Sequence, residues 1–184
     1  MLISVLMSIY NENENEIKKS VESILNQTFH DFEFIIVIDN PSMYYVENIL
    51  KSYNDDRLIC LKNESNIGLA MSMNRAASIA KGKYIARMDA DDISDLNRFQ
   101  EEYTYLESHP NIGLVCTNYH YIDENNNTVN FESINVNFKS YKKLLPYINM
   151  IHHPTVMIRK QVFVYDGWRE PLCSLYESHH QTAS

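Results

Sequence analysis

The chain has 184 residues, which is enough for one domain with a sizeable core. Its 45% hydrophobic and 22% charged residues are typical of a globular protein and argue against disorder. A formal net charge of −8, without a clustered Lys/Arg surface, argues against a nucleic-acid binder and indicates that a phosphate ligand would need a cation.

Short apolar runs alternate with amphipathic segments before Pro110. Four continuously apolar runs predict buried strands, at residues 2–9, 32–38, 58–61 and 84–88. Four segments with apolar residues at helical spacing predict helices, at residues 16–26, 44–53, 69–80 and 94–108. The repeated strand–helix order predicts an α/β fold with a mostly parallel sheet and helices on both of its faces.

The pattern changes after Pro110. Residues 112–121 and 129–134 flank a turn at 125–127 and predict a β-hairpin. A short helix at residues 139–145 and a strand at 155–158 are predicted to follow. This second part has no repeat of the first in its sequence, so we expect it to complete the same domain.

Three carboxylates in four residues, Asp89, Asp91 and Asp92, directly follow the fourth apolar run. Open α/β sheets bind ligands at the carboxyl ends of their strands, and carboxylate oxygens suit Mg²⁺ or Mn²⁺ bound to a polyphosphate. The alternative is a solvated turn that caps the next helix. A calcium loop of the EF-hand type fits worse, because Ile93 occupies its third ligand position and Ser94 its glycine position.

Two further strand ends are predicted to lie at the same edge of the sheet. Tyr10 follows the first strand and is a candidate for stacking on a base, with a tyrosine at the margin of the core as the alternative. Asp39 follows the second strand and is a candidate acceptor for a base N–H group, with an Asx turn before Pro41 as the alternative.

Several segments stand in a distinctive order along residues 2–170: residues 5–11, the 20–28 segment with Gln27-Thr28, residues 32–40, residues 66–69, and the 80–92 segment with Lys81-Gly82 and Asp89-Ala90-Asp91-Asp92. This order resembles the family-two inverting glycosyltransferases with a GT-A fold, and most of all the bacterial transferases that build capsule, lipopolysaccharide O-antigen or other surface glycans. The resemblance implies one domain over residues 1–184, with a Rossmann-like, mostly parallel sheet flanked by helices and a small hairpin region on the acceptor side. Residues 1–109 would form the nucleotide-sugar-binding half and residues 110–184 the acceptor half, with a shortened or altered C-terminus.

The resemblance also implies donor-binding residues. It assigns the nucleotide to a set of loop residues comprising Ser8, Tyr10, Glu12, Asp39, Asn66 and Gly68. Asp39 would read uracil, although Ile38 replaces the acid that the family places before it. It assigns Asp89 and Asp91 to the DxD motif, with Asp91 favoured as the direct ligand of Mn²⁺ or Mg²⁺. Arg87 and Asp92 would contact the sugar or support the metal site.

The mechanism implied by the resemblance is a single displacement with inversion, from a UDP-sugar to a growing cell-surface glycan or lipid-linked acceptor. The family takes its base from a Glu-Asp pair, which falls here at Glu177 and Ser178, so Glu177 is the candidate base. His153, before Pro154, is a second catalytic candidate, and a buried histidine satisfied by the backbone is its alternative. The serine at position 178 leaves open a degenerate member that binds UDP-sugar and metal but transfers poorly. A sugar-nucleotide pyrophosphorylase is disfavoured, because no Gly-rich basic loop follows the first strand.

The sequence also bears on location. No apolar stretch approaches the roughly 20 residues that span a bilayer, and the first residues lack the basic leader and cleavage site of a signal peptide. Cys60, Cys116 and Cys173 lack metal-ligand spacing, and the first two lie in apolar runs, so we expect reduced core thiols. These features favour a cytoplasmic protein, and association with the inner face of the membrane through partners is left open.

Overall fold

The computed structural model describes residues 1–123, 127–132 and 151–166. Within them the strands are, in chain order, β1 (Ile3–Ile9), β2 (Phe32–Ile38), β3 (Leu58–Lys62), β4 (Tyr84–Arg87), β5 (Leu114–Cys116), β6 (Tyr119–Ile122), β7 (Thr128–Glu132) and β8 (Val156–Arg159). The helices are α1 (Glu14–Leu25), α2 (Tyr44–Ser52), α3 (Leu69–Ile79), α4 (Arg98–Ser108) and α5 (Lys160–Asp166), and a short 3₁₀ turn at His153–Thr155 precedes β8. The helix predicted at residues 139–145 lies outside the described residues.

Six strands form one sheet in the order β3-β2-β1-β4-β8-β5, and β6 and β7 form a separate antiparallel hairpin. The first four strands of this order are parallel, whereas β8 runs antiparallel to both of its neighbours. The mostly parallel α/β sheet predicted from the sequence is therefore confirmed. The antiparallel pairing also brings the start of β8 beside the end of β4, because Ala86 pairs with Met157.

Two apolar layers cover the two faces of the sheet. All seven residues of β2 are buried, as expected of a strand covered on both sides. Along β1 the side chains alternate between the layers, with Val5 in the larger cluster and Leu6 in the smaller one. The larger cluster takes in residues of α1, α2 and α4, and the smaller one is formed with α3.

Gln27 and Thr28 join α1 to the loop before α4. The buried Gln27 amide donates to the carbonyl oxygen of Asp95 at 2.5 Å and accepts from the Phe99 N–H at 3.1 Å. The Thr28 N–H donates to the Leu96 carbonyl oxygen at 2.9 Å. These bonds hold residues 94–97 in a loop, which is why α4 begins at Arg98 and not at the predicted residue 94.

Two other expectations need correction. The strand predicted over residues 112–121 is two strands, because β5 joins the main sheet and β6 pairs with β7. Cys60 and Cys116 were expected to be core thiols, but both are exposed. Each lies on a strand at an outer edge of the sheet, where the covering layers are incomplete. In the described residues, every helix is too short or too polar to cross a membrane.

Candidate functional site

The acidic cluster, Asp89, Asp91 and Asp92, lies where β4 leaves the sheet. The Met88 N–H still donates to the Leu6 carbonyl oxygen at 3.0 Å, and the cluster begins at the next residue. Oδ1 of Asp89 accepts from Nε and Nη2 of Arg87 at 3.1 and 2.9 Å, and its carbonyl oxygen accepts from the Ser20 hydroxyl at 2.9 Å. Asp89 is therefore fixed, whereas Asp91 is exposed.

Negative charge is concentrated at this point. Limited access of water to its carboxyl group, and then the charges of Asp89 and Asp91, raise the pKa of Asp92, although the residue as a whole is exposed. Burial and the charge of Asp91 also raise the pKa of Glu12, against hydrogen bonds that lower it. Glu12 and the acidic cluster, distant in sequence, thus lie close enough to repel each other.

The donor set fits a hard divalent cation. Asp89 and Asp91 offer carboxylate oxygens, and the repulsion within the cluster is what a cation would relieve. Across the described residues, no group of three His, Cys, Asp or Glu side chains is arranged to hold a metal ion by itself. Two carboxylates suffice for Mg²⁺ when water and substrate phosphates complete its coordination. Asp91 is the exposed member of the pair and would hold the cation, with Asp89 beside it.

Arg87 and His153 are buried behind the cluster, with exposures of 2% and 6%. Nη1 of Arg87 donates to Nδ1 of His153. Burial and the neighbouring guanidinium lower the pKa of His153 to about 4, so the imidazole is neutral at pH 7. His153 is buried, as its predicted alternative required, and its Nδ1 atom faces an arginine side chain.

The loop after β1 is fixed from two sides. Oε2 of Glu12 accepts from the N–H groups of Tyr10 and Asn11 at 2.8 and 3.2 Å. The side-chain amide of Asn40 donates to the Tyr10 carbonyl oxygen at 2.9 Å. Tyr10 remains 46% exposed at the edge of the sheet, and Ser8, still within β1, is half-buried.

Asp39 organises the loop that precedes α3. This carboxylate is 2% exposed, and its Oδ1 accepts from the Asn63 side chain at 2.6 Å and from the Ile67 N–H at 2.9 Å. Its Oδ2 accepts from the Gly68 N–H at 3.0 Å, which brings Asn66 and Gly68 to the end of β2. The Asx turn considered for Asp39 is made by Asn40, whose Oδ1 accepts from the Ser42 N–H at 3.0 Å.

Sequence reasoning missed three polar residues at this edge. Asn63 follows β3, a strand end that was not considered, and donates to Ser72 Oγ at 2.8 Å as well as to Asp39. Arg75 on α3 donates to the carbonyl oxygen of Lys62 at 2.8 Å and to the Asn63 side chain. Arg98, which is 6% exposed, donates to the carbonyl oxygens of Arg87 and Val156 at 3.0 and 3.3 Å. A polar residue at the end of each parallel strand is the signal that would have found Asn63.

The half of the chain predicted to bind the acceptor is described in part. Tyr119, on β6, has its ring centroid 3.8 Å from that of His152 and 5.3 Å from that of Tyr121. Tyr121 is 46% exposed. The candidate base Glu177 and its neighbour Ser178 lie outside the described residues, so that assignment stays a prediction.

Comparison with known proteins identifies relatives over most of the chain. The sequence model of the family described as glycosyl transferase family 2 matches residues 4–165. The uncharacterized glycosyltransferase MJ1057 of Methanocaldococcus jannaschii is 43% identical over 164 residues, covering 88% of this chain and 57% of that protein. The O-antigen biosynthesis glycosyltransferase WbnJ of Escherichia coli is 32% identical over 164 residues, covering 89% of this chain and 63% of that protein. The chain thus spans about three fifths of the length of these relatives.

Solved structures share the fold. Staphylococcus aureus TarS 1-349 in complex with UDP-GlcNAc superposes with a TM-score of 0.68 at 19% identity, covering 90% of this chain and 47% of that one. The mannosyltransferase PcManGT from Pyrobaculum calidifontis, in complex with GDP-Man and Mn²⁺, superposes with a TM-score of 0.65 at 16% identity, covering 90% and 46%. The chain belongs to glycosyl transferase family 2 and has the GT-A fold.

Proposed function

We propose that this chain binds a UDP-sugar with Mn²⁺ or Mg²⁺ and transfers the sugar, with inversion, to a growing cell-surface glycan or a lipid-linked acceptor. The observation that carries the proposal is the meeting of three features at one sheet edge: the exposed Tyr10 ring, the loop anchored by Asp39 and the acidic cluster. Together they offer partners for a base, a ribose and a cation-bound diphosphate.

The nucleotide half of the site is assigned to the loops after β1 and β2. The Tyr10 backbone is fixed on both sides while its ring is exposed, which suits stacking on a base. We assign base and ribose contacts to Asp39, to the loop residues Asn66 and Gly68, and to Ser8. UDP is favoured by the resemblance at Asp39 and by the complex of TarS with UDP-GlcNAc. PcManGT was solved with GDP-Man, which makes GDP the competing nucleotide.

The diphosphate half is assigned to the acidic cluster. Asp91 would hold the cation, Asp89 would lie beside it, and Asp92 and Arg87 would face the sugar or support the cluster. A bound Mn²⁺ or Mg²⁺ would neutralise charge on the departing diphosphate. Burial, and after it the charges of neighbouring carboxylates, raise the pKa of Glu12 and of Asp92, and a cation beside the acidic cluster would offset the part that is due to charge.

The transfer step itself is a single displacement. The acceptor hydroxyl oxygen forms a bond to the anomeric carbon, the bond from that carbon to the diphosphate oxygen breaks, and its electron pair leaves with UDP. The hydroxyl proton passes to a carboxylate, for which Glu177 is the candidate. General-base catalysis of this kind contributes about 10²- to 10⁴-fold in rate.

An aromatic cluster, Tyr119, Tyr121 and His152, supports a carbohydrate acceptor. Its rings lie 3.8 and 5.3 Å apart between centroids, and Tyr121 is exposed. Sugar rings present apolar C–H faces that pack on aromatic rings, while their hydroxyl groups bond phenol and imidazole groups. His152 adjoins His153, so the cluster lies next to the Arg87 side of the donor site.

A second candidate function is a binding protein that retains the donor site but transfers poorly. Ser178 favours it, because a serine without a partner cannot replace the second carboxylate of the family's pair. Both candidates predict UDP binding, and only the first predicts rapid turnover.

Calorimetric titration of UDP and of GDP, each with and without Mn²⁺, tests the donor site. Asp91→Asn is the test variant, and Asp56→Asn is the matched control, since Asp56 is exposed and distant from the acidic cluster in sequence. We expect UDP to bind with Mn²⁺, Asp91→Asn to lose most of this binding, and Asp56→Asn to retain it. Release of UDP from UDP-sugars then separates the transferase from the binding protein. Preference for GDP would overturn the assignment of UDP, and failure of both nucleotides to bind would overturn the donor site.

A further inference from the structure

One buried guanidinium connects the start of β8 to the acidic cluster. Arg87 donates through Nη1 to Nδ1 of His153, and through Nε and Nη2 to Oδ1 of Asp89 at 3.1 and 2.9 Å. Arg87 is 2% exposed and His153 is 6% exposed. Water therefore has little access to these bonds, and the two strands share one hydrogen-bonded unit.

His153 is the acceptor in this unit. A guanidinium donates hydrogen bonds and accepts none, so Nδ1 must be the imidazole nitrogen without a hydrogen. Burial and the charge of Arg87 lower the pKa of His153 to about 4, which agrees with a neutral ring. The imidazole thus restricts the rotation of the Arg87 side chain, whose other face holds Asp89.

The backbone of Arg87 is fixed as well. Nη2 of Arg98 donates to the carbonyl oxygens of Arg87 and Val156 at 3.0 and 3.3 Å, so this second buried guanidinium ties β4 to β8. With its main chain and its guanidinium both held, Arg87 can present Asp89 in few orientations. Oδ1 of Asp89 is the oxygen that Arg87 bonds, which directs the other oxygen away from the arginine.

We propose that Arg87 and His153 are a positioning pair that fixes the carboxylate of Asp89, so that the acidic cluster meets the cation and diphosphate in one geometry. The inference rests on the proposed function, because it assigns the pair to the same donor site. In it His153 acts through Arg87 and not as a base on the acceptor hydroxyl, since Nδ1 accepts a hydrogen bond from Arg87 and Nε2 then carries the ring hydrogen. Residues that orient metal ligands typically contribute about 10- to 100-fold in metal affinity.

The test exploits the acceptor atom of His153. Asparagine at this position retains an oxygen acceptor close to where Nδ1 lies, whereas leucine retains none. UDP affinity is measured by calorimetry with and without Mn²⁺ for the wild type, His153→Leu and His153→Asn. His30→Leu is the matched control, because His30 is exposed and lies in the loop before β2.

We expect His153→Leu to weaken UDP binding in the presence of Mn²⁺ about tenfold, without weakening it in the absence of metal. His153→Asn should restore the affinity to within about threefold of the wild type, and His30→Leu should not change it. If His153→Leu does not fold, Arg87→Lys replaces it. Lysine keeps the charge, but its single ammonium group cannot bond Asp89 and His153 at the same time in the way that the planar guanidinium does. For Arg87→Lys we expect the same loss of about tenfold in UDP affinity in the presence of Mn²⁺.

Two outcomes would overturn the positioning role. One is Mn²⁺-dependent binding by His153→Leu that matches the wild type within about twofold. The other is a loss that His153→Asn does not restore, since a role in packing alone does not depend on an acceptor atom. If the wild type itself binds no UDP with Mn²⁺, the proposed function fails together with the inference. If the wild type binds and His153→Leu binds equally well, the inference alone fails.

Discussion

Oδ2 of Asp39 lies 3.0 Å from the amide nitrogen of Gly68, and Oδ1 of the same carboxylate lies 2.9 Å from the amide nitrogen of Ile67. A buried acid at the end of β2 therefore holds the loop that starts α3. Within the loop, Oδ1 of Asn66 accepts from the same Gly68 N–H at 2.8 Å, so the loop is held both by its own side chain and by contact with a neighbouring strand.

Asp39→Asn should disturb this loop. Asparagine replaces one acceptor oxygen by an NH₂ group, so a donor from Asn63, Ile67 or Gly68 would face another donor. We expect the free energy of unfolding to fall by about 1–3 kcal/mol and the affinity for UDP to fall with it. Urea denaturation and calorimetry measure the two effects, with the exposed Asp56→Asn as control. Wild-type stability in Asp39→Asn would show that the buried bonds contribute little.

Gly68 and Gly82 should respond differently to alanine. Gly68 has φ +83° and ψ 160°, and a Cβ atom there would meet no heavy atom within 4 Å, so the cost is backbone strain of about 1–3 kcal/mol. At Gly82 a Cβ atom would lie 2.5 Å from the backbone nitrogen of Ser4 in β1, so the cost is a steric clash.

The two alanine variants therefore distinguish an effect on the loop anchored by Asp39 from an effect on the packing of the sheet. We expect Gly68→Ala to weaken UDP binding even under conditions where it is fully folded, because the loop at Asp39 must shift. Gly82→Ala should lower the midpoint of thermal unfolding while the folded fraction binds UDP normally. Calorimetry below both melting temperatures distinguishes them, and equal loss of affinity in the two variants would contradict a local role for Gly68.

Glu102 predicts a pH dependence of stability. It is 2% exposed, its Oε2 accepts from Arg98 at 3.2 Å, and its Oε1 has no hydrogen-bond partner. Burial, against the attraction of Arg98, raises its pKa from 4.5 to about 7 in the folded state. Between these pH values the folded chain binds the extra proton, so this group makes the free energy of unfolding fall as pH rises through that window.

Urea denaturation at pH 5, 6, 7 and 8 measures this effect in the wild type and in Glu102→Gln. We expect the wild type to lose on the order of 2–3 kcal/mol relative to the variant between pH 5 and pH 8. Subtracting the free energy of unfolding of the variant from that of the wild type cancels the contributions of other groups. His153 is one such group, because its lowered pKa makes stability rise with pH below its ordinary pKa. Glu64→Gln, at an exposed position that does not act on the Glu102 carboxyl, should show the same pH dependence as the wild type. A constant difference between the wild type and Glu102→Gln would contradict the raised pKa.

The strands of the parallel half followed from the sequence because continuous apolar runs mark strands buried on both faces. The run at residues 32–38 coincides with β2, all of whose residues are buried. The start of α4 did not follow, because residues 94–97 are held by tertiary hydrogen bonds from Gln27 and Thr28. Local patterns carry no information about such distant partners.

The residues of the candidate site also divide into those that a local sequence pattern predicts and those that depend on distant contacts. The acidic cluster and Asp39 were predictable because each directly follows an apolar run. Asn63 also follows an apolar run, but its contact with Asp39 depends on the pairing of β2 with β3, in which the Asn63 N–H donates to the Ile38 carbonyl oxygen at 2.9 Å. The contact of His153 with Arg87 likewise depends on the antiparallel placement of β8 beside β4, which the sequence pattern did not reveal.

Tyr121 tests the acceptor side. If Tyr121, Tyr119 and His152 form a platform for a sugar ring, Tyr121→Ala removes the exposed aromatic surface of that platform. Aromatic contacts of this kind contribute about 0.5–1.5 kcal/mol, so we expect the ratio of sugar transfer to UDP-sugar hydrolysis to fall about 2- to 12-fold.

The assay offers a panel of methyl hexopyranosides as acceptors and measures released UDP and glycosylated product separately. Tyr105→Ala is the matched control, because Tyr105 is 45% exposed on α4 and stacks on His109, apart from the aromatic cluster. Tyr121→Phe should retain most of the ratio, because the ring remains, which separates stacking from hydrogen bonding by the phenol. An unchanged ratio in Tyr121→Ala would mean that the acceptor binds elsewhere, and an equal loss in Tyr105→Ala would point to a general effect on the fold.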